Sequence, residues 1–199
     1  MSIKLKESET MTNLMRAFAG ESQARNRYMF AAKQAKKEGK YVIQAVFAYT
    51  ASQEEAHAKV FYDHLKEMAG ENITIEEAAY PVNISDSLEE LLKAARHNEY
   101  EEYDPVYRSF GDKAKEEGYT EIANLFYKIA EIEKLHGDRF GQFAELINRG
   151  ELFVSDVEEE WICLNCGYIH KGKQAPVSCP VCKHDQGFFI RFSLSPYVN

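Results

Sequence analysis

The sequence predicts a mainly α-helical protein: a four-helix bundle, built as two helix hairpins with a long crossover, followed by a small C-terminal metal-binding domain. Four long segments carry apolar residues at helical spacing, and the second pair of segments repeats features of the first. All four cysteines lie in the last 37 residues as two C-x-x-C pairs, which is typical of a metal site rather than of a disulfide framework.

The composition indicates a globular, acidic chain. Its 199 residues, 45% of them hydrophobic, suffice for one sizeable core and a small appendage. The formal net charge of -8 disfavours a nucleic-acid partner, because phosphate contacts need clustered Lys and Arg. No apolar run reaches the roughly 18 residues of a membrane span, and the start, MSIKLKESE, lacks the apolar segment of a signal peptide. We therefore expect a cytoplasmic protein with no membrane partner.

The first hairpin is predicted from two amphipathic segments. Residues 8–38 form one helix, with Glu21 inside its apolar face. After a glycine, residues 40–69 form the second helix, in which Glu54 and His57 occupy apolar positions. The connection is so short that the two helices must be antiparallel neighbours.

The crossover and the third helix follow. Residues 70–85 carry Gly, Pro and β-branched residues, which favours a long connection between the two hairpins. Ser85 or Asp86 is expected to cap the third helix. Pro105 predicts a kink or a local irregularity within this helix, and Gly118 ends it.

The fourth helix repeats the second. It runs to about Asn148, and its apolar stripe contains Glu133 and His136. The turn sequences AKKEGKY and AKEEGYT resemble each other, and each Glu-x-x-His begins 15 residues after the turn glycine. The first-helix glutamates Glu21 and Glu99 precede these by 33 and 34 residues. The two hairpins should therefore bring four glutamates to a similar height in one bundle.

Seven polar residues thus occupy apolar stripe positions: Glu21, Glu54, His57, Glu99, Glu102, Glu133 and His136. Five carboxylates in one core could not all stay ionised without cations, and two divalent or trivalent metal ions would resolve the repulsion. In Glu-x-x-His both side chains project the same way, so that the carboxylate can bridge two ions while the imidazole binds one. Such ligands suit iron or manganese and do not exclude zinc.

Other polar residues near the stripe have simpler interpretations. A single Glu-x-x-His is common by chance, but two copies at equal distances from repeated turns favour a metal site. Tyr28 and Tyr107 are either packing residues or donors of hydrogen bonds to the carboxylates. Residues expected on ordinary helix surfaces are Glu55, Glu101, Glu131, His64 and His97.

The C-terminal part is predicted to hold one further metal ion. We divide the chain into the bundle at 1–150, an acidic linker at 151–158 and the small domain at 159–199, which ends in a strand-like run at 188–194. Four thiolates at this spacing form a tetrahedral site for one iron or one zinc. They are Cys163, Cys166, Cys179 and Cys182.

With these motifs, the whole chain resembles a rubrerythrin, a ferritin-like di-iron bundle followed by a rubredoxin-like domain. A Glu combined with Glu-x-x-His is a known template of di-iron carboxylate bundles. The resemblance implies two non-haem iron ions, which an oxo bridge can join, and one iron ion in the four-cysteine site. It also implies that Glu102 is an extra ligand, and that one iron ion moves between Glu102 and His57 as the oxidation state changes.

The resemblance further implies a peroxidase that reduces hydrogen peroxide to water in oxidative-stress defence. An external NADH-linked reductase or a rubredoxin would donate electrons through the four-cysteine site, since the chain has no Gly-x-Gly-x-x-Gly nucleotide motif. A homodimer or higher homo-oligomer is implied, with the rubredoxin-like domain of one subunit near the di-iron site of another. Two alternatives stay open: a ferritin-like ferroxidase or iron-sequestering protein, and a zinc-binding regulatory module with an inert bundle.

Overall fold

The structure, a computed structural model that describes residues 4–76 and 78–196, contains the two predicted hairpins. The third predicted helix is divided in two. None of the described helices is both long and apolar enough to cross a membrane. The helices are α1 (Glu9–Lys37), α2 (Tyr41–His64), α3 (Leu88–Glu101), α4 (Tyr107–Glu116) and α5 (Thr120–Asn148).

Local signals in the sequence explain where the first hairpin begins and turns. The side chain of Ser8 accepts a hydrogen bond from the backbone N–H of Met11 and caps α1. Gly39, in the turn between α1 and α2, has a φ of 65°, a left-handed conformation that glycine adopts without steric cost. Gly118 has a φ of 91° and occupies the corresponding turn before α5. The repeated turn sequences therefore form the same kind of turn.

The cap of α3 corrects the prediction. Ser87, rather than Ser85 or Asp86, accepts a hydrogen bond from the backbone N–H of Glu90, at 3.3 Å. The Ser85 hydroxyl donates instead to the carboxylate of Glu90 and accepts from the backbone N–H of Ser87. The helix begins at Leu88, so only Ser87 stands at the N-cap position.

The predicted irregularity near Pro105 is confirmed as a short π-helical segment at Glu102–Val106. Asp104 within it has the non-helical angles φ -154° and ψ 117°. A π turn accommodates one extra residue relative to an α-helix. This explains the one-residue difference between the hairpins, because Glu21 and Tyr28 are seven residues apart whereas Glu99 and Tyr107 are eight apart.

Two apolar layers flank the middle of the bundle. The first layer lies near the α1–α2 turn and includes Ile43, Phe47, Leu92, Phe140 and Phe143. The second layer lies near the α4–α5 turn and includes Leu14, Phe61, Tyr107, Phe126 and Ile129. The polar stripe residues lie between these layers along every helix, so they form one buried polar layer within an apolar bundle.

The C-terminal part is a three-stranded antiparallel sheet in the order β2-β1-β3. Its strands are β1 (Val154–Cys163), β2 (Ile169–Gln174) and β3 (Phe189–Arg191). Residues 154–158, which were expected in the acidic linker, lie in β1, where Val154 pairs with Gln174. The strand-like run expected at 188–194 is shorter, because a 3-10 turn follows β3. The division into domains remains a prediction.

The C-terminal sheet packs against the α1–α2 turn of the same chain. The rings of Tyr41 and Phe188 stack with centroids 4.0 Å apart. A Cβ atom on Gly187 would lie 1.8 Å from the carbonyl oxygen of Gly39, so only glycine allows this approach. Ile190 joins the first apolar layer. The four cysteines are therefore held at the turn end of the bundle.

Candidate metal centres

The four long helices bring six of the seven predicted residues together in two overlapping groups. α1 supplies Glu21 and α3 supplies Glu99, while α2 and α5 each supply a Glu-x-x-His pair, whose members share one face of their helix. Within each group, the candidate ligand atoms lie within 4.8 Å of one another. The groups are Glu21, Glu54, His57 and Glu133, and Glu54, Glu99, Glu133 and His136.

Glu54 and Glu133 belong to both groups, and each directs one carboxylate oxygen toward each histidine. Nδ1 of His57 lies 3.0 Å from Glu133 Oε1 and 3.2 Å from Glu54 Oε2. Nδ1 of His136 lies 2.8 Å from Glu133 Oε2 and 3.0 Å from Glu54 Oε1. This is the arrangement in which two carboxylates can bridge two neighbouring metal positions.

The donor atoms of this layer fit a pair of cations. The four glutamates are fully buried, and His57 is only 8% exposed. The short N···O separations lack hydrogen-bond geometry, because several of the atoms have no hydrogen-bond partner within the described residues. Unpaired buried acceptors are costly, and two metal ions would satisfy them together. The unpaired atoms include both oxygens of Glu54 and Glu133, one oxygen each of Glu21 and Glu99, and Nδ1 of both histidines.

The electrostatics show the same demand for positive charge. Burial and the nearby carboxylates Glu133 and Glu54 raise the pKa of Glu21 well above its ordinary value. Burial, with Glu54 next, does the same to the pKa of Glu99. Burial would also raise the pKa of Glu54, but His136 and His57 outweigh it and lower that pKa to about 2. The carboxylates thus become ionised only where a positive group faces them.

The histidines supply that positive charge. Burial would lower the pKa of His57, but Glu133 and Glu54 raise it to about 9. Burial would likewise lower the pKa of His136, which Glu133 and Glu54 raise to about 12. Metal binding needs neutral imidazole and therefore displaces these protons. The protons stand in the positions where metal ions would provide the charge.

The two predicted tyrosines contact the non-bridging glutamates. The hydroxyl of Tyr107 donates a hydrogen bond to Glu21 Oε1 at 2.6 Å. The hydroxyl of Tyr28 donates to Glu99 Oε1. Burial, followed by the nearby carboxylates, raises the pKa of both tyrosines well above the ordinary value, so they remain donors. Each group therefore has one glutamate that a buried tyrosine from the other hairpin orients.

Glu102 is the predicted residue that the structure does not bring into either group. It is half-buried and lines a cavity of about 510 Å³ that Gln23, Tyr80 and the exposed His97 also line. Burial, with Glu133 and Glu54, raises the pKa of Glu102 to about 8. Glu102 thus lies between the buried layer and a solvent-facing cavity.

The residues expected on ordinary helix surfaces are found there. None of the five belongs to a group of candidate metal ligands among the described residues. Glu55, Glu101, Glu131 and His97 are exposed, and His64 is half-buried.

Sequence reasoning missed a set of polar contacts around His136. Its Nε2 lies 3.1 Å from Gln53 Oε1. Arg139 donates hydrogen bonds from Nη1 to Gln53 Oε1 at 3.2 Å and to Thr50 Oγ1 at 3.1 Å. The only signal in the sequence is position: Gln53 precedes Glu54, and Arg139 follows His136 by three residues.

The four cysteines form a separate tetrahedral group. The Sγ atoms of Cys163 and Cys182 are 3.7 Å apart, and those of Cys166 and Cys179 are 3.6 Å apart. A tetrahedral site with metal–sulfur bonds of about 2.3 Å has sulfur–sulfur distances of about 3.8 Å, so the spacing fits one metal ion. The geometry matches the predicted ligand set.

Two local features shape this four-cysteine site. Gly167 and Lys183, each directly after a C-x-x-C pair, have left-handed φ values of 77° and 64°. These residues turn the chain so that both pairs face one point. A hydrogen bond from the backbone N–H of His184 lowers the pKa of Cys182 to about 6, which favours the thiolate that binds metal.

Comparison with known proteins supports both parts of the chain. The chain is 44% identical over 189 residues to the rubrerythrin of Clostridium perfringens, covering 94% of this chain and 96% of that protein. It is 44% identical over 185 residues to the rubrerythrin of Nitratidesulfovibrio vulgaris, covering 93% and 95%.

Solved structures give the same fold. Nigerythrin in a mixed-valence state superposes with a TM-score of 0.61 at 28% identity, covering 96% of this chain and 88% of that chain. Desulfovibrio desulfuricans bacterioferritin superposes with a TM-score of 0.63 at 23% identity, covering 72% and 82%, a likeness that shows the fold alone. The predicted ferritin-like bundle with a C-terminal rubredoxin-like part is confirmed.

Family models cover most of the sequence. The model described as rubrerythrin matches residues 12–144, which contain all the bundle residues discussed above. The model described as the rubredoxin-like domain of rubrerythrin matches residues 161–190, which contain the four cysteines. The two groups in the bundle are accordingly candidates for a di-iron site, and the cysteines are candidates for a rubredoxin-like iron site. The chain belongs to the rubrerythrin family.

Proposed function

We propose that this protein is a peroxidase that reduces hydrogen peroxide to water at a di-iron site in the bundle. The observation that carries the proposal is the pair of groups that share Glu54 and Glu133 and leave their buried donor atoms without hydrogen-bond partners. Two ferrous ions held there would supply the two electrons that, with two protons, convert one hydrogen peroxide into two water molecules.

The side chains divide the work of holding this centre. Glu54 and Glu133 act as the bridging ligands, because each offers one oxygen to either side. Glu21 and Glu99 act as ligands of one side each, and the hydroxyls of Tyr107 and Tyr28 hold their second oxygens in place. The two apolar layers exclude bulk water, so electrons and protons reach the centre only by defined routes.

Glu102 is proposed as an additional carboxylate ligand on the His57 side. It lies where the π-helical segment begins, and it shares the electrostatic environment of Glu54 and Glu133 without belonging to either group. It also lines the cavity that reaches the surface at His97. Its carboxyl group can therefore carry protons between that cavity and the buried layer, as well as offer an alternative to the His57 ring.

The four-cysteine site is proposed to pass on electrons from an external NADH-linked reductase or a rubredoxin. The C-terminal sheet contacts Tyr41 at the beginning of α2, and His57 follows 16 residues later. At 1.5 Å per residue, this separation is about 24 Å along the helix. Such a distance is long for electron transfer within one chain, which supports a homodimer or larger assembly in which one subunit's cysteines serve another subunit's bundle.

Replacing a bridging carboxylate should abolish turnover. We expect Glu133→Ala to reduce peroxide consumption by at least about 100-fold, since both metal positions lose a ligand. The absorption of the four-cysteine iron site should stay unchanged. Glu131→Ala is the matched control: Glu131 lies two residues away, is exposed, and pairs only with Arg108 among the described ion pairs. Normal turnover by Glu133→Ala would refute the site.

Replacing Glu102 should separate metal binding from turnover. Because Glu102 lies outside both groups, Glu102→Ala should still bind two ferrous ions per bundle under anaerobic conditions. Peroxide consumption should fall about 10- to 100-fold, the range typical for residues that support a metal site. The exposed neighbour Glu101 provides the control variant Glu101→Ala. Loss of ferrous ions from Glu102→Ala, or unchanged turnover, would contradict this role.

Replacing one cysteine should stop the electron supply alone. Cys166→Ser should retain the bundle metals but lose steady-state turnover with NADH and a reductase, since a serine oxygen replaces one of four thiolates. A single turnover after chemical reduction of the bundle should remain, and this is the internal control. If NADH-linked turnover were unchanged, the cysteines would be structural, and stoichiometric iron uptake without turnover would instead favour a ferritin-like function.

A further inference from the structure

The two histidines of the bundle differ in what holds the ring nitrogen that faces away from the carboxylates. Nε2 of His136 lies 3.1 Å from Gln53 Oε1. The same oxygen accepts a hydrogen bond from Nη1 of Arg139, which also donates to Thr50 Oγ1. The Arg139 guanidinium lies over the ring of Tyr49, 5.1 Å from its centroid. His136 is therefore connected to an ordered polar network.

This network fixes the direction of the hydrogen bond. A guanidinium group can only donate, so the atom of Gln53 that faces Arg139 must be the amide oxygen. Nε2 of His136 must then be the donor to that oxygen. In the neutral ring, Nδ1 is left as the acceptor atom, and it is Nδ1 that faces Glu54 and Glu133. Gln53 thus selects the tautomer of His136 that can bind a metal ion.

His57 has no such support. Across residues 4–76 and 78–196, Nε2 of His57 makes no hydrogen bond, although its Nδ1 faces the same two glutamates. His57 is 8% exposed and His136 is 1% exposed. The difference therefore lies in the surroundings of the rings and not in their carboxylate neighbours.

The internal repeat locates the origin of this difference. An offset of 79 residues relates Glu54 to Glu133 and His57 to His136. The same offset places Ile132 at the position of Gln53, and Val60 at the position of Arg139. Neither isoleucine nor valine has a side-chain polar atom. The two hairpins therefore share their candidate ligands and differ in the residues that support the histidine.

We propose that Gln53 and Arg139 are positioning residues that hold His136 as the permanent imidazole ligand, whereas the unsupported His57 marks the metal position that exchanges its ligands more readily. The proposal rests on the di-metal centre of the proposed function. It assigns the difference between the two metal positions to two residues outside the ligand set. Hydrogen bonds of this kind orient a ligating histidine and raise its basicity, so their loss weakens metal binding.

Cobalt release tests the proposal without relying on peroxidase activity. The full-length protein, stripped of metal and loaded anaerobically with Co(II), is mixed with excess EDTA, and the cobalt absorption is followed over time. Thiolate–cobalt absorption reports the four-cysteine site separately. We expect two release phases from the bundle of the unmodified protein. The variants His57→Ala and His136→Ala assign these phases, the fast phase to the His57 side and the slow phase to the His136 side.

Gln53→Leu should accelerate the slow phase about 10- to 100-fold and leave the fast phase and the thiolate signal unchanged. Gln53→Glu keeps an acceptor oxygen and should preserve the slow phase. Ile132→Leu, at the repeat-related position, is the matched control and should change neither phase. Arg139→Met provides a second variant in case Gln53→Leu does not fold, and it should also accelerate only the slow phase.

Two results would overturn the proposal while leaving the di-metal centre intact. One is an unchanged slow phase in both Gln53→Leu and Arg139→Met. The other is equal acceleration of both phases, which would mean that these residues only tie α2 to α5. If the unmodified protein bound no Co(II) outside the four-cysteine site, the proposed function itself would fail. Failure of this proposal and failure of the proposed function are therefore distinguishable.

Discussion

The structure depends on one constraint: several carboxylates converge in a layer that has apolar side chains above and below it. Glu54 and Glu133 are fully buried, and neither has a hydrogen-bond partner among the described residues. Like charges at this separation repel strongly where water cannot screen them. The bundle can therefore hold this layer only if positive charge accompanies it. The bridging geometry, the tyrosine hydrogen bonds and the raised pKa values of the histidines all follow from this requirement.

The repeat supplies two nearly equivalent metal positions, and the departures from the repeat make them unequal. One departure is the π-helical segment, which adds one residue between Glu99 and Tyr107 and still lets Tyr107 reach Glu21. The same segment places Glu102 beside the buried layer. The other departure is the replacement of Gln53 and its partner by apolar residues in the second hairpin. A symmetric core suffices to bind two ions, whereas a redox cycle benefits from positions that differ.

Much of this arrangement follows from the sequence, because helical periodicity and the repeat depend on local spacing. They predict the hairpins, the crossover and the six residues that the bundle brings together. Local spacing does not determine contacts between hairpins, so it did not reveal that Gln53 supports His136. Nor did it reveal that Glu102 lies outside both groups, which depends on the geometry of the π turn. The acidic run at the beginning of β1 resembled a linker, since its sheet partner is distant in sequence.

The most direct test of the central claim is an anaerobic metal analysis of the purified protein, combined with its Mössbauer spectrum. The account predicts three iron ions per chain, because the chain has two groups of carboxylate and imidazole ligands and one group of four thiolates. Two of the ions should have oxygen and nitrogen ligands, and one should have tetrahedral sulfur ligands. A chain that held a single sulfur-ligated metal ion and none in the bundle would contradict the account.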